Sequence, residues 1–322
     1  TLREYIEKQG ISYLNPNQPY LYARGIIAQD IIRVDYQGKP VLVIAPGAFL
    51  NCSKIKSIVV PRTVMLIGKG AFSGCSSVET ITMPTIGAPT TNELDVTVGG
   101  VTFGSNVLGT VGAYFGQEPF EGGVLSSAYV YNVEEQNPGG GTRYEYYKPE
   151  TLKTIILTGS SMGMKLEVCA FFGLGLENLV IKESVEDDNL PIIDYFDSVF
   201  NAENVIIEEN SPITKIGPYW LSRAKKVTLS KNIEIIRENC FGKDLEEIIL
   251  PEALNTIGHS AFKNCENLKE ITLPTKLKSI GEEAFLGCEN LKIVHNKSRL
   301  TITKGSKENG YVGYYATTIT NE

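Results

Sequence analysis

The sequence predicts a repeat solenoid with a parallel β-sheet along one face. Three observations carry this. Between Leu254 and Val294 a unit recurs, with Phe262 and Phe285, Cys265 and Cys288, Leu268 and Leu291, and Pro251 and Pro274 each 23 residues apart. The same interval of 23 separates Phe49 from Phe72, Cys52 from Cys75, Ile58 from Ile81 and Pro61 from Pro84. Each unit also ends in an apolar–polar–apolar alternation followed by proline, the pattern of a strand with one buried face. A fixed short period marks a solenoid. Stacked repeats share one core, so the repeat overrides the two domains that a length of 322 residues suggests.

Residues 1–10 read as a short helix: Thr1 and Glu4 fit a capping box, Leu2, Tyr5 and Ile6 share a face, and Gly10 ends it. Residues 26–44 read as two strands around a turn at Gln37-Gly38, with Pro40 opening the second. The whole segment 1–43 is expected to cap the first coil, because an open solenoid end exposes core and strand edge.

The solenoid is expected over 44–303. One unit has a short extended piece at Ile67-Gly68, a tight bend at Ala71-Phe72 through Cys75 that turns Phe inward, and the strand Val78-x-x-Ile81-x-Met83-Pro84. Ile81 and Met83 point inward and Thr82 outward. Every unit returns in the same direction, so the strands are parallel. The inward register runs through Ile58, Ile81, Ile155, Leu179, Val205, Val227, Ile248, Ile271 and Val294. The gap of 74 between Ile81 and Ile155 is one unit plus about 51 residues, an insertion at about 88–148. In it Asn92–Val98 alternates like a strand. Tyr129, Tyr131 and Val133, then Tyr144 and Tyr146, alternate on either side of a loop at 134–142, which predicts a hairpin. In the poorer central units Trp220 is expected in the Phe slot, and Arg237 replaces the Gly that follows Ile. Residues 304–322, with Tyr311-Val312-Gly313-Tyr314-Tyr315, are expected to lay aromatics over the last coil and then fray.

The combined unit, Leu-x-x-Ile-x-Leu-Pro then Ile-Gly-x-x-Ala-Phe-x-x-Cys-x-x-Leu, resembles the BspA-like leucine-rich repeat family. Pro251–Cys288 and Gly47–Pro84 carry the likeness almost position by position. Three further stretches resemble pieces of such proteins: Tyr36-Gln37-Gly38-Lys39-Pro40-Val41, Leu108-Gly109 with Tyr114-Phe115-Gly116, and Gly310–Ala316. Residues 88–148 and 182–203 match the repeat poorly. The resemblance implies a leucine-rich repeat solenoid with a parallel sheet on one face, short turns or 3-10 bends and few helices. It also implies a bacterial protein at the cell surface or secreted, often adhesive, with no catalytic residues to carry over.

Composition and motifs exclude more than they assign. With 30 Lys+Arg against 37 Asp+Glu, the net charge of −7 argues against nucleic-acid binding, which needs a basic stripe. No apolar run approaches the roughly 20 residues that span a bilayer. No signal peptide is visible. Thr1 in place of Met is expected to mark a processed piece of a longer chain, so that absence is uninformative. Cys52, Cys75, Cys169, Cys240, Cys265 and Cys288 lie beside the repeat Phe positions and read as small buried fillers rather than bridges. No C-x-x-C pair exists and there are only 2 histidines, so no zinc site is expected.

Gly159–Lys165 is too short between glycines for a phosphate loop. Glu186-Asp187-Asp188 with Asp194 and Asp197 lacks an EF-hand spacing and reads as a solvated loop, as does Glu208-Glu209. His259 with Ser260 has no orienting acid. No enzyme, cofactor or metal is expected.

The outward strand slots are Val59, Thr82, Ile156, Val180, Ile206, Thr228, Ile249, Thr272 and His295. On a parallel ladder they align at about 4.8 Å per rung. Five of these nine are Val or Ile, where a solvated face is usually polar. Three readings stand: β-propensity, cover by the tyrosine hairpin, or a contact surface. Charged neighbours of both signs, from Lys56 to Lys292, would rim it. Tyr129, Tyr131, Tyr144 and Tyr146 either pack on the neighbouring coil or offer apolar faces with polar tips to a partner. The function expected is a monomeric, extracellular module binding a protein or glycoprotein. The alternative is a spacer that projects another domain.

Overall fold

The structure, a computed structural model, describes residues 35–36, 39–40, 43–44, 46–64, 66–84, 95–98, 101–104, 111–130, 142–159, 170–171, 173–185 and 200–321. The predicted helix at 1–10 lies outside them. The chain forms two compact units, Thr1–Leu174 and Gly175–Glu322.

In the first unit β1 (Asp35–Tyr36) pairs antiparallel with β2 (Lys39–Pro40) across Gln37-Gly38, as the sequence predicts. β3 (Val43–Ile44) then opens the solenoid, followed by β4 (Ser57–Val59), β5 (Leu66–Ile67) and β6 (Thr80–Pro84). A small antiparallel pair, β7 (Asp95–Val98) and β8 (Val101–Gly104), comes next. The hairpin strands β9 (Gly123–Val130) and β10 (Thr142–Pro149) lead to β11 (Thr154–Thr158). β4, β6 and β11 form one parallel ladder, with Ile58 opposite Ile81 and Ile81 opposite Ile155. All three side chains are buried. The insertion therefore costs no rung, since β6 pairs directly with β11.

What the sequence did not predict is that the insertion is split by a bend of the repeat. Val111–Tyr114 is a buried 3-10 turn followed by Phe115. Phe72 N–H donates to Tyr114 O at 2.8 Å, as Phe49 N–H donates to Ala71 O at 2.7 Å one coil earlier. Phe115 thus takes the Phe slot, its ring centroid 6.4 Å from that of Phe72. One hairpin precedes this bend and the other follows it.

The second unit contains β12 (Leu176–Ile181), β13 (Ala202–Ile207), β14 (Lys215–Ile216), β15 (Lys226–Thr228) and β16 (Ile235–Ile236). β17 (Glu247–Ile249), β18 (Thr256–Ile257), β19 (Glu270–Leu273), β20 (Ser279–Ile280), β21 (Ile293–Asn296) and β22 (Thr318–Asn321) complete it. β12, β13, β15 and β17 are successive parallel neighbours, and β19, β21 and β22 form a second parallel ladder. A second side of the coils is β14–β16–β18–β20, made by the Ile-Gly pieces. The inward residues Leu179, Val205, Val227, Ile248, Ile271 and Val294 are all buried.

The bends repeat one backbone device. The third residue after the Ile of the Ile-Gly piece has positive φ in coil after coil: Gly70 at 66°, Tyr219 at 58°, Asn239 at 51°, Ser260 at 52° and Glu283 at 54°. The second residue after Phe does the same at Asn51, Gly74, Asn264 and Gly287. At Gly287 a Cβ would lie 2.2 Å from Asn264 Oδ1, so only glycine fits beneath the asparagine of the coil before. Between these two left-handed residues the chain reverses and drives Phe inward. Phe241, Phe262 and Phe285 stack with centroids 4.4 and 4.8 Å apart.

The Phe slot of the Ile216 coil is a correction. Leu221, not Trp220, bridges to Phe241, and Leu221 N–H donates to Cys240 O at 3.1 Å as Phe241 N–H donates to Ala261 O at 2.9 Å. Trp220 occupies the alanine slot instead. A Cβ on Gly217 would sit 2.4 Å from Trp220 Nε1, so this glycine makes room for the indole, which packs on Phe200 at 5.4 Å.

Cys52, Cys75, Cys240, Cys265 and Cys288 are buried free thiols, and Cys169 lies outside the described residues. Cys75 Sγ donates to Phe49 O at 3.2 Å and Cys288 Sγ to Phe262 O at 2.9 Å, each reaching back to the preceding bend. Burial pushes the Cys75 thiol up to about 12. A buried Phe cut to Ala costs about 3–5 kcal/mol. Phe262→Ala is expected to lower unfolding stability by that amount in urea titration. Lys263→Ala, which removes only a surface contact to Glu283, is expected to cost under about 1 kcal/mol.

Candidate functional site

The outward slots align as the inward ones do, because side chains alternate across a strand. In the first unit Val59 stands opposite Thr82 and Thr82 opposite Ile156. In the second, Val180, Ile206, Thr228 and Ile249 stand on successive partners, and Thr272 stands opposite His295. Exposure along the row is uneven. Thr82, Ile156, Val180 and His295 are half-buried, Thr228 and Thr272 are exposed, and Ile206 and Ile249 are 38% and 76% exposed. His295 Nδ1 lies 2.9 Å from Thr320 Oγ1 on the next rung.

Ion pairs of both signs rim the row. Lys56 faces Glu79 at 3.7 Å, and Lys225 faces Glu203 at 3.1 Å. The hydrogen bond from Lys225 raises its own pKa in favour of the charged ammonium. Lys182 binds Glu208, which also accepts from Glu183 N–H at 3.0 Å. The lysine holds the Glu208 carboxyl below the usual carboxylate range. Exposed pairs of this kind add little stability. They set the sign pattern that a partner meets.

The tyrosine hairpin contributes differently from the expectation. Tyr146 is fully buried, which removes it from the binding set. It stands opposite Ser126 on β9, and its ring fills the space over Gly112, where a Cβ would lie 2.3 Å from the ring. Burial pushes its phenol up to about 12, against a hydrogen bond with Ser126 that lowers it. Ser126 Oγ donates to Gly173 O, and Tyr147 N–H donates to Gly116 O at 3.0 Å. These contacts seat the hairpin on the bends of its unit, not over the strand row. Strand parity explains the correction: Ser126 and Tyr146 share the face toward the bends, while Leu125, 56% exposed, pairs with Tyr147 on the other. The side chains of Tyr129 and Tyr144, and all of Tyr131, lie outside the described residues, as do the acidic residues 186–197. Ser260, beside His259, is buried with φ 52° and is a bend residue.

No group of three or more His, Cys, Asp or Glu among the described residues has the arrangement of a metal site. None of the described helices is long and apolar enough to cross a membrane.

Parallel rungs with buried Leu/Ile/Val slots, a Phe bend and an Ile-Gly side define a leucine-rich repeat solenoid. The model of the BspA type leucine rich repeat region matches in 6 copies over 38–91, 142–243 and 219–307, and the chain belongs to that family. No curated protein matches the chain. Among solved structures, a T. pallidum leucine rich repeat protein is 21% identical, aligned over 44% of this chain and 72% of its own, with a TM-score of 0.33. A leucine-rich repeat protein from Bacteroides ovatus is 18% identical over 91% of each chain, with a TM-score of 0.32. The pneumococcal vaccine antigen PcpA is 16% identical over 89% of this chain and 72% of its own, with a TM-score of 0.34. The family assignment rests on the repeat.

The site depends on strand parity, which substitution tests directly. Ile248→Asp puts an unpaired carboxylate in the core and is expected to cost about 3–5 kcal/mol. Ile249→Asp, one residue on, faces solvent and is expected to shift stability by no more than about 0.5 kcal/mol in the same urea titration.

Proposed function

We propose that the chain is a non-enzymatic, extracellular binding module of a bacterial surface protein, and that its outward strand row contacts a protein or glycoprotein. Family membership supports the broader statement: repeats of this type build interaction and surface modules. The observation that carries the finer one is Ile249, an isoleucine 76% exposed on a strand, with Ile206 at 38% two rungs away and only Thr228 between them. β-Propensity accounts for a branched residue in a strand. It does not require isoleucine where threonine serves, as at Thr228 and Thr272. A row of apolar side chains rimmed by paired charges has the make-up of an interface centre, where truncation effects concentrate. Val180 extends the row in the second unit; Val59, Thr82 and Ile156 form the corresponding row of the first. A spacer that only projects another domain would keep these positions polar.

The test is a panel of purified matrix and serum glycoproteins presented to the immobilised chain in biolayer interferometry. The double variant Ile206→Asp/Ile249→Asp is expected to fold with an unchanged melting temperature and to lose at least tenfold in affinity for any glycoprotein the wild type captures. Unchanged capture by a folded double variant would transfer the function away from this row and favour the spacer.

A further inference from the structure

The ladder of stacked rings in the second unit stops one coil early. Phe285 N–H donates to Gly310 O at 2.7 Å, just as Phe262 N–H donates to Ala284 O at 2.8 Å, so Gly310 takes the alanine slot and Tyr311 the Phe slot. β22 then pairs in register with β21, and residues 297–321 make a further coil. Yet Tyr311 does not continue the stack. Its ring meets Tyr314 at 5.4 Å, and Tyr314 meets Tyr315 edge-on at 4.9 Å. In the coils before, the Phe and Cys slots are closed, with Phe262, Phe285, Cys265 and Cys288 fully buried. Here Tyr311 and Tyr315 are half-exposed and Tyr314 is 38% exposed.

The backbone explains the departure. Asn309, Gly310 and Tyr311 have φ of 50°, 60° and 69°, three consecutive left-handed residues. L-residues visit this region singly, at a cost of roughly 1–2 kcal/mol each when they carry a Cβ. Every other bend places single left-handed residues around Phe and leaves Phe itself outside that region. The left-handed Tyr311 turns its ring away from Phe285. The strain is held by tight packing. A Cβ on Gly310 would lie 2.3 Å from Gly281 O, and one on Gly313 2.4 Å from Thr303 O. Asn309 Nδ2 donates to Thr301 O, Gly305 N–H to Gly313 O and Tyr314 N–H to Tyr311 O. A cap needs only polar tips over the last ring. Strain retained on a well-packed turn, presenting an aromatic cluster, is the mark of a functional site.

We infer that Tyr311, Tyr314 and Tyr315 form a pre-organised subsite for an acidic oligosaccharide, distinct from the strand row. Tyrosines offer an apolar face and a hydroxyl tip at little entropic cost. That suits a pyranose ring, which is likewise apolar on its C–H face and polar at its edge. Three rings within five residues make a footprint far below the roughly 1,000 Å² that a specific protein interface buries. The coil carries Lys297, Arg299, Lys304 and Lys307 against Glu308 over 297–321, an excess of three positive charges in a chain whose net charge is −7. This selects a carboxylated sugar and disfavours an organic cation. Exposed charges are screened by salt, so binding weakens as ionic strength rises.

Saturation-transfer-difference NMR on the full chain tests this with hyaluronan hexasaccharide as the acidic probe and maltohexaose as the neutral one. Transfer to the hyaluronan ring protons is expected, at least threefold stronger than to maltohexaose and reduced by added salt. Tyr314→Ala should abolish it at unchanged melting temperature, and Tyr314→Phe should retain most of it. If Tyr314→Ala does not fold, nitration of the wild type by tetranitromethane gives the same answer, with hyaluronan expected to slow modification of Tyr314. Absence of transfer to hyaluronan, equal transfer in a folded Tyr314→Ala chain, or nitration unaffected by the sugar would each overturn the assignment.

Discussion

The structure depends on one constraint: each coil must hand its buried side chains to the next at the same height. Parallel strands about 4.8 Å apart bring identical slots into contact. The slot is filled by Ile58, Ile81 and Ile155 in the first unit, and by Leu179 through Val294 in the second. A single coil cannot bury these residues alone. Cooperation between rungs makes an inward substitution costly and an outward one nearly free. It also leaves the outward row available to carry other chemistry.

The second requirement is a bend tight enough to close a coil in 23 residues. Two left-handed residues do this, one before the alanine slot and one after Phe. Where glycine or asparagine occupies these positions the conformation is inexpensive. Tyr219, Ser260 and Glu283 adopt it with larger side chains, because the backbone hydrogen bonds to neighbouring coils hold the path. The cysteine thiols reaching back to the previous bend belong to the same arrangement. They donate to carbonyls the turn leaves open and stay protonated in the dry interior.

Much of this was legible in the sequence because the slots recur at fixed distance from Phe and Pro. All nine inward residues read from the pattern are buried, and the outward row lies in the register the pattern gives. The misses share a cause. Trp220 was assigned by size to the Phe slot, but slot order is counted from the Ile-Gly pair, and that count gives Leu221. Tyr146 was grouped with its alternating neighbours, but which parity faces the bends is decided by the small residues Gly112 and Gly173, far away in sequence. Phe115 was hidden because inserted hairpins on both sides break the 23-residue spacing around it. The exposed tyrosines of the last coil depend on three successive positive φ values, a backbone property with no signature beyond Asn309-Gly310.

Both functional proposals follow from departures from the repeat rather than from the repeat itself. Isoleucine stands where threonine would serve on the strand row, and a left-handed tyrosine stands where phenylalanine would stack. Each has meaning only if the rung-to-rung register is as described. Paired cysteines test that register most directly. Thr228 and Ile249 are Cα partners, so Thr228→Cys/Ile249→Cys should form a disulfide on mild oxidation. Glu247 partners Lys226, so in Thr228→Cys/Glu247→Cys the two Cα atoms lie beyond about 7 Å and no bridge should form. Cross-linking of the second pair, or failure of the first in a folded chain, would contradict the account.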